Sequence, residues 1–311
     1  MPRVERDKIE IEAMHSERKY HQELKPVTIV NQLDAIDVTI TDAPSPEQFR
    51  KIFAVFLLNT CRDTIITDHK KFSDQEIDRC IDQCFRGELL PTAMETVSIA
   101  WTVSGLDMID TTHLIRHRAF SFSAQLHGDR DVRRDRVVAK PGILCNPALR
   151  ERYETLCNDA LQLYVDSLDS GELNLFDART VLPRCFEHFY MVRSPLKDLM
   201  GYCRARADEQ LQPISDNLVA LKLWLEVLKI YPWLKPYVDF RRPDAYYQTM
   251  SKKGKTSLYP PNDKNEGFDW HEDMFLHPIH RDEFPGGEKY LEMREEIMAQ
   301  IDNIKPDHHR E

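Results

Sequence analysis

The chain has 311 residues and a formal net charge of −10; 41% of its residues are hydrophobic and 30% are charged. Enough apolar residues are present to bury a core, which excludes an intrinsically disordered or fibrous protein. The acidic excess disfavours nonspecific binding to nucleic acid or to an anionic membrane surface, because both need an excess of Lys and Arg.

The first third of the chain carries two helix-start signals after a charged, peripheral N-terminal arm. Ser45 with Gln48, and Ser73 with Glu76, match the capping-box pattern, in which side chains satisfy free backbone amides at a helix start. Alternation of polar and apolar residues instead indicates a strand. The predicted elements are the arm (1–34), a strand (Asp37–Ile40), a helix (Pro46–Cys61) and a second helix that ends at Gly87.

The rest of the chain predicts one strand and mainly helices. In TVSIAWTVSG, Val97, Ile99, Trp101 and Val103 alternate with smaller or polar residues, which predicts a half-buried strand. The predicted helices are Leu106–Arg118, Asn146–Leu168, Ala178–Ala205 (interrupted near Pro183 and Pro195), Ser215–Ile230 and Glu288–Ile304. The fold class is therefore α/β with helices in the majority. We expect a main domain over residues 35–235 and a loop-rich C-terminal extension over 236–311.

The cysteines indicate in which compartment the protein resides, and the glycines indicate how it could bind a phosphate group. The seven cysteines form no paired CxxC arrangement, and no apolar run approaches the length of about 18 residues that suggests a membrane span. We therefore expect a soluble cytoplasmic protein with reduced thiols. Ten glycines form neither GxGxxG nor GxxxxGK, so a phosphate would be bound by side chains rather than by a glycine loop.

Two arginine-bearing segments are candidates for that role in this acidic chain. The segment from His113 to Lys140 contains seven Lys or Arg residues and only three aspartates, and it includes the sequence Arg116-His117-Arg118. Guanidinium groups can bind phosphate through two parallel hydrogen bonds, although a charged run is often only a solvated face. The second segment, which we expect to be helical, carries Arg179, Arg193, Lys197, Arg204 and Arg206.

The order of these motifs resembles the flavin-dependent thymidylate synthase family. The family hallmark is Arg-His-Arg, found here at Arg116, His117 and Arg118. It is followed by an Ala-Arg-x-x-Leu-Pro run, which begins here at Ala178, and by a later arginine that corresponds to Arg206. The similarity extends from about residue 37 to residue 233.

The resemblance implies a fold and an activity. The implied fold is that of the thymidylate synthase-complementing proteins, with a central antiparallel or mixed sheet flanked by long helices. Members of the family bind FAD in a homotetramer whose active sites are shared between subunits. They reductively methylate C5 of dUMP with methylenetetrahydrofolate as carbon donor and NADPH as reductant, and they use no cysteine nucleophile.

The resemblance also assigns residues, and it identifies Arg206 and Arg116 as the catalytic candidates. Arg179 would hold the nucleotide phosphate and Arg206 would contact the pyrimidine. The other expected substrate-binding residues are Arg116, His113, Gln125, Leu126, His127 and Arg130. The expected FAD-binding residues are Arg116, His117, Arg118, Ser98, Ser121, Lys197 and Gln210.

Several positions depart from the family pattern. The family serine after Arg-His-Arg falls on Leu126 and the arginine two positions later falls on Gly128, so Arg130 or Arg133 would have to supply that charge. A related branch of the family methylates UMP as well as dUMP in nucleoside-antibiotic biosynthesis, and this chain is compatible with it. Gln125 and His127 are candidates for a contact to the ribose 2′-OH. Further departures are Thr96, Ala124, Pro195 and Gln210.

Two other functions stay open at this point. The losses at Leu126, Gly128 and Pro195 are compatible with a catalytically silent nucleotide-binding relative. The segment WHEDMFLHPIHRDEF places His271, His277 and His280 near carboxylates, which could serve a metal-dependent hydrolase. Pro278 interrupts any helix there and no HExxH motif is present, so we expect no metal site.

Overall fold

The computed structural model describes residues 24–59, 65–125, 132, 136–206, 214–241 and 287–306. Every structural statement below concerns these residues. Among them, no helix is long and apolar enough to cross a membrane.

The main sheet has four antiparallel strands in the order β2-β3-β6-β4. The central strand β3 has the predicted alternation, with Ile99, Trp101 and Val103 buried. It pairs on one side with β2, where Thr102 lies opposite Thr39, and on the other with β6. The strands are β1 (Thr28–Asn31), β2 (Asp37–Asp42), β3 (Ser98–Leu106), β4 (Ser121–Gln125), β5 (Arg136–Ala139) and β6 (His188–Pro195).

Seven longer helices surround the two sheets. They are α1 (Pro46–Leu57), α2 (Asp74–Phe85), α3 (Met108–Leu114), α4 (Pro147–Asp169), α5 (Leu196–Arg206), α6 (Ile214–Ile230) and α7 (Gly287–Asn303). Shorter helical segments are Gln32–Ala35, Thr92–Thr96, Pro141–Leu144 and Leu175–Ala178, with 3-10 turns at His69–Lys71, Arg179–Val181 and Pro232–Tyr237. The predicted capping boxes at Ser45 and Ser73 are confirmed, and a third one begins α3 at Asp107.

The apolar residues form two clusters. The larger one surrounds the main sheet and α6, whose residues from Leu218 to Leu228 are almost all buried. The smaller cluster lies between α4 and the parallel pair β1-β5, and it contains Val137, Leu161 and Phe186. The Arg-His-Arg segment lies between Leu114 and Phe120 of the first cluster, whereas Arg179 lies between Ala178 and Val181 of the second.

The structure corrects two of the predicted helices. The helix predicted over Leu106–Arg118 ends at Leu114, so Arg116, His117 and Arg118 lie in the turn that follows it. The helix predicted over Ala178–Ala205 is instead a 3-10 turn, strand β6 and α5. In β6, His188, Tyr190, Val192 and Ser194 all point inward, and this period of two marks a strand.

The structure also bears on the predicted arm and extension. Residues 28–35 form β1 and a short helix, and Leu33 is buried in the main cluster. Near the other end, Tyr290 and Ile301 of α7 are buried in the same cluster. These described parts of the arm and extension therefore pack on the main domain. The domain boundaries at residues 34 and 235 stay a prediction.

Candidate functional site

The Arg-His-Arg segment forms a tight turn between α3 and β4. The backbone amide of His117 donates to the carbonyl of Leu114 at 3.2 Å, and the amide of Phe120 donates to the carbonyl of His117 at 2.9 Å. This geometry exposes Arg116 and Arg118 while it turns His117 inward. Neither arginine has a side-chain partner within the described part of the chain. The turn thus presents two exposed guanidinium groups on either side of a half-buried imidazole.

His117 is held by aromatic packing and by Arg206. Its ring centroid lies 4.8 Å from that of Tyr202, in a T-shaped contact, and 5.4 Å from that of Phe120. Its Nε2 atom is 3.5 Å from Nη2 of Arg206. Burial and, to a smaller extent, the Arg206 charge lower the pKa of His117 to about 4, although Asp216 acts in the opposite direction. The ring is therefore neutral at pH 7. Because Arg206 can only donate, Nε2 accepts and the ring proton lies on Nδ1.

Arg206 connects this turn to the start of α6. Its Nη1 atom lies 3.1 Å from Oδ2 of Asp216, and its Nη2 atom lies 3.4 Å from the carbonyl oxygen of His113. The same carboxylate oxygen accepts from Nδ1 of His113 at 3.0 Å. The Arg206 and Asp216 side chains are only 12% and 6% exposed. Asp216 therefore orients two of the residues that the sequence predicts to bind substrate, His113 and Arg206.

A network of buried polar groups binds the first turn of α3 to neighbouring elements. Asp110 accepts hydrogen bonds from Ser215 at 2.7 Å, from Lys140 at 3.2 Å and from Gln32. Lys140 also lies 3.2 Å from Asp107. Burial raises the pKa of Asp110, although the ammonium of Lys140 acts in the opposite direction. This network fixes the helix whose C-terminus leads into the Arg-His-Arg turn.

Three of the predicted FAD-binding residues lie along one end of the main sheet. Ser98 and Ser121 occupy the strands on either side of β6, and both lie next to Arg193, with Ser98 at 3.5 Å from its guanidinium. Arg193 forms an ion pair with Asp42. Lys197 lies at the start of α5 and contacts Glu95 at 2.6 Å, with both side chains about half exposed. This end of the sheet is polar and open to solvent.

Arg179 lies apart from Arg206 and His117. It begins the 3-10 turn that follows residues 175–178, and its guanidinium packs over the ring of Phe176 at 5.1 Å. No contact among the described residues joins it to the other predicted site arginines. Among the described residues of one copy, Arg179 is therefore not in contact with the group formed by Arg206 and the Arg-His-Arg turn.

Other predicted residues lie outside the described ranges. These are Leu126, His127, Gly128, Arg130, Arg133 and Gln210, together with the tail histidines His271, His277 and His280. Gln125 ends β4, where its backbone lies opposite Phe189, and its side chain is outside the description. The roles of all these residues stay predictions. Within the residues that are described, no cluster of side chains is suited to hold a metal ion.

Sequence reasoning missed Asp216, Tyr202 and the Asp110 network. Asp216 is the one acidic residue in the first two turns of the apolar helix α6, and this was the available signal. No comparable signal identifies Tyr202, because a tyrosine among apolar residues usually packs in a core. Its hydroxyl is buried beside Asp216, and burial raises its pKa well above the ordinary value.

Residues 45–233, well over half of the chain, match the family described as thymidylate synthase complementing protein. The chain belongs to this family. The predicted resemblance is thereby confirmed, and the matched region contains the Arg-His-Arg turn, Arg179, Arg206 and Asp216. It also contains three of the four strands of the main sheet, β3, β4 and β6.

Two curated members of the thymidylate synthase complementing protein family show the degree of divergence. A flavin-dependent thymidylate synthase from Thermococcus onnurineus is 28% identical over 142 residues, which cover 44% of this chain and 56% of that protein. A flavin-dependent thymidylate synthase from Nitratidesulfovibrio vulgaris is 26% identical over 194 residues, which cover 58% of this chain and 79% of that one. The match thus spans little more than half the length of the first relative.

A solved structure shares the fold of this family member. The UMP/dUMP methylase PolB from Streptomyces cacaoi, bound with 5-Br dUMP, superimposes with a TM-score of 0.51. The superposition covers 66% of this chain and 94% of that chain, at 17% sequence identity. The predicted α/β fold with a central antiparallel sheet and flanking long helices is confirmed.

Proposed function

We propose that this protein is a flavin-dependent enzyme that methylates C5 of a pyrimidine nucleotide, UMP or dUMP. The observation that carries the proposal is the Arg-His-Arg turn, in which two exposed guanidiniums, neither paired with any described residue, flank a neutral His117 held by Arg206. In a chain of net charge −10, unpaired arginines on an ordered turn are suited to an anionic ligand. Membership of the family and the flavin-dependent relatives support the same activity.

The residues present fit FAD as the cofactor. A dinucleotide needs donors for its diphosphate and polar contacts along its length. The chain offers the exposed Arg116 and Arg118 in the turn before β4, and the hydroxyls of Ser98 and Ser121 at one end of the sheet. Lys197 adds a cation at the same end of the sheet. Bound FAD would supply the redox chemistry of the methyl transfer, with methylenetetrahydrofolate as carbon donor and NADPH as reductant.

The chain's own residues then bind and orient the pyrimidine. Asp216 holds Arg206 in one position, and Arg206 in turn keeps the Nε2 atom of His117 occupied. This leaves the Nδ1–H group of His117 as a neutral donor for a cofactor or nucleotide carbonyl. Because these groups are fixed before the ligand arrives, little side-chain entropy is lost on binding.

The proposal includes a homotetramer with shared active sites. Arg179 is the expected phosphate ligand, yet within one copy it has no contact with Arg206 or His117. A site built from two copies would let Arg179 of one chain meet the Arg-His-Arg turn of another. In this arrangement the phosphate and the base of one nucleotide are bound by different subunits.

UMP is a substrate candidate equal to dUMP. Leu126 and Gly128 replace the serine and arginine that the family resemblance leads one to expect in the substrate loop. We propose that Arg130 supplies the missing charge and that Gln125 or His127 contacts the ribose 2′-OH. Use of UMP would be consistent with a role in nucleoside-antibiotic biosynthesis.

The first test is flavin binding. Purified protein should be yellow or should take up added FAD, and absence of both would end the flavin proposal. Release of tritium from C5-labelled UMP and dUMP, with methylenetetrahydrofolate and NADPH supplied, then measures activity on each. Silence on both nucleotides in a protein that binds FAD would favour a catalytically silent relative.

A second test asks whether Arg179 binds the nucleotide rather than FAD. Arg179→Ala should weaken nucleotide binding at least tenfold, since a charge-assisted hydrogen bond contributes about 1.5–3 kcal/mol, while FAD binding stays unchanged. Arg150→Ala is the matched control, because Arg150 is exposed and pairs with Glu154 on its own helix. A larger effect of Arg179→Ala on FAD than on nucleotide would refute the assigned role.

A further inference from the structure

The outer face of α4 carries three exposed leucines at intervals of seven residues. Leu149, Leu156 and Leu163 are 47%, 60% and 53% exposed. Cys157, Leu161, Tyr164 and Val165 of the same helix are buried in the smaller core cluster, so the helix already has its packing partner on that face. The three leucines, which we call the leucine row, lie on the helix surface that this core does not cover.

Residues seven apart lie nearly above one another on a helix, so the leucine row forms one narrow apolar line about 21 Å long at 1.5 Å per residue. Single exposed apolar residues need no explanation, but an aligned set on one helix face is typical of an interface. Apolar residues at seven-residue intervals form half of the heptad pattern by which two helices pack side by side.

Two unpaired charges border the leucine row on one side. Arg152 and Asp159 are separated by seven residues as well, and helix geometry places both on the same edge of the row. Both are exposed, and neither has an ion pair or a side-chain hydrogen bond within the described residues. Arg150 of the same helix, in contrast, is paired with Glu154.

We propose that the leucine row binds the same row of a second copy of this chain, with the two α4 helices antiparallel and a two-fold axis at Leu156. A two-fold axis at this point places residue 149 opposite 163 of the other copy. Both ends of the row are then covered by leucine. The inference rests on α4 alone and not on the enzymatic activity.

The charges favour a second copy over an unrelated partner. In the antiparallel pair, residue 152 faces residue 160 of the other copy, so Arg152 lies beside Asp159 of that copy. The two-fold axis keeps the charged edges of both helices on the same side, and the ion pair is formed twice. A row that carries its own complementary charge is what an isologous interface requires.

The geometry is tested by cross-linking of single cysteines. Leu156→Cys would place two thiols together at the axis, and a short bis-maleimide should link them in high yield. Leu163→Cys is the control, because its two copies would lie about 21 Å apart, beyond the reach of that reagent. Both variants are made with Cys145→Ser, since Cys145 is exposed in the native chain, and this parent serves as the blank.

The cross-linking results show whether a second copy or another part of the same chain covers the leucine row. Cross-linking at position 156 and not at 163 supports the antiparallel pair. Cross-linking at both positions to the same extent, or at neither, overturns it. A monomer in which the Leu156→Cys thiol is protected from a monofunctional maleimide would mean that another part of this chain covers the row, and this also overturns the proposal.

Charge exchange provides an independent readout by analytical ultracentrifugation. Arg152→Glu or Asp159→Arg alone should weaken self-association about tenfold, because each creates two like-charge contacts. The double variant R152E/D159R should recover most of the loss, since it restores the pair with opposite polarity. Leu156→Asp should reduce the mass of the assembly by half. Unchanged mass for Leu156→Asp, or no recovery in the double variant, would contradict the proposal.

Discussion

The depressed pKa of His117 links the site to the stability of the fold. The folded protein holds the His117 pKa at about 4, whereas an unfolded chain has the ordinary value of about 6.5. Between these values the unfolded state binds a proton that the folded state does not, so stability falls as the pH falls from 6.5 toward 4. At neutral pH this loss is absent.

The size of the effect follows from the two pKa values. Proton linkage at one site with pKa values of about 6.5 and 4 lowers the free energy of unfolding by about 2 kcal/mol between pH 7 and pH 5. His117→Gln removes this proton and keeps a neutral polar side chain. The variant also loses the ring contacts to Tyr202 and Phe120, which lowers its stability at every pH, but it should lose about 2 kcal/mol less than the native protein on acidification.

Urea unfolding at pH 7 and pH 5 measures this difference for both proteins, and the other titrating groups cancel in the comparison. NMR titration of the His117 ring checks the same quantity directly. In Arg206→Met the pKa should move upward, because the nearby guanidinium is gone while Asp216 remains. Equal pH dependence in the native protein and His117→Gln, or a His117 ring that titrates near 6.5 in the native protein, would refute the reasoning.

Two further predictions concern packing and charge and are checked by urea unfolding at pH 7. Gly105 has a φ of +76° and a Cβ there would overlap the backbone of Ala35, so Gly105→Ala should cost more than about 3 kcal/mol. In the control Gly171→Ala, φ is +73° but nothing lies within 4 Å, so only about 1 kcal/mol should be lost. Arg136→Ala should cost about 3 kcal/mol because it leaves the buried carboxylate of Glu187 without its 2.5 Å partner; a cost below about 1 kcal/mol would contradict this.

The sequence predicted an element correctly wherever that element is determined by residues close together along the chain. Ser45 and Ser73 begin helices because their caps involve residues only three positions away. Strand β3 was predictable because its alternation is uninterrupted over residues 97–103. In both cases the stabilising contacts are local or repeat along the chain.

Elements that depend on distant partners were missed or misread. Strand β1 is four residues long and pairs with β5, more than 100 positions later, so nothing local marks either as a strand. In β6 the inward positions include His188 and Ser194, and these polar residues conceal the alternation. Asp216 escaped prediction for the same reason, because its partners His113 and Arg206 come together only in the folded chain.

The distribution of acidic partners separates the cations that a buried carboxylate holds in place from those that face solvent. Arg206 is held by Asp216 and Lys140 by Asp110, and in both pairs the carboxylate is buried. Arg116 and Arg118 are exposed and lack such a partner in the described chain, although acidic residues are in excess overall.

The two groups of arginines should therefore respond differently to removal. Arg206→Ala leaves Asp216 buried without its main counter-charge and should cost about 3 kcal/mol of unfolding free energy. Arg116→Ala and Arg118→Ala should each change that free energy by less than about 0.5 kcal/mol, because solvent surrounds both side chains. The same two variants should weaken FAD binding, measured by flavin fluorescence, at least tenfold. If they destabilise the fold as much as Arg206→Ala does, the exposed guanidiniums serve the structure, and the argument that assigns them to an anionic ligand fails.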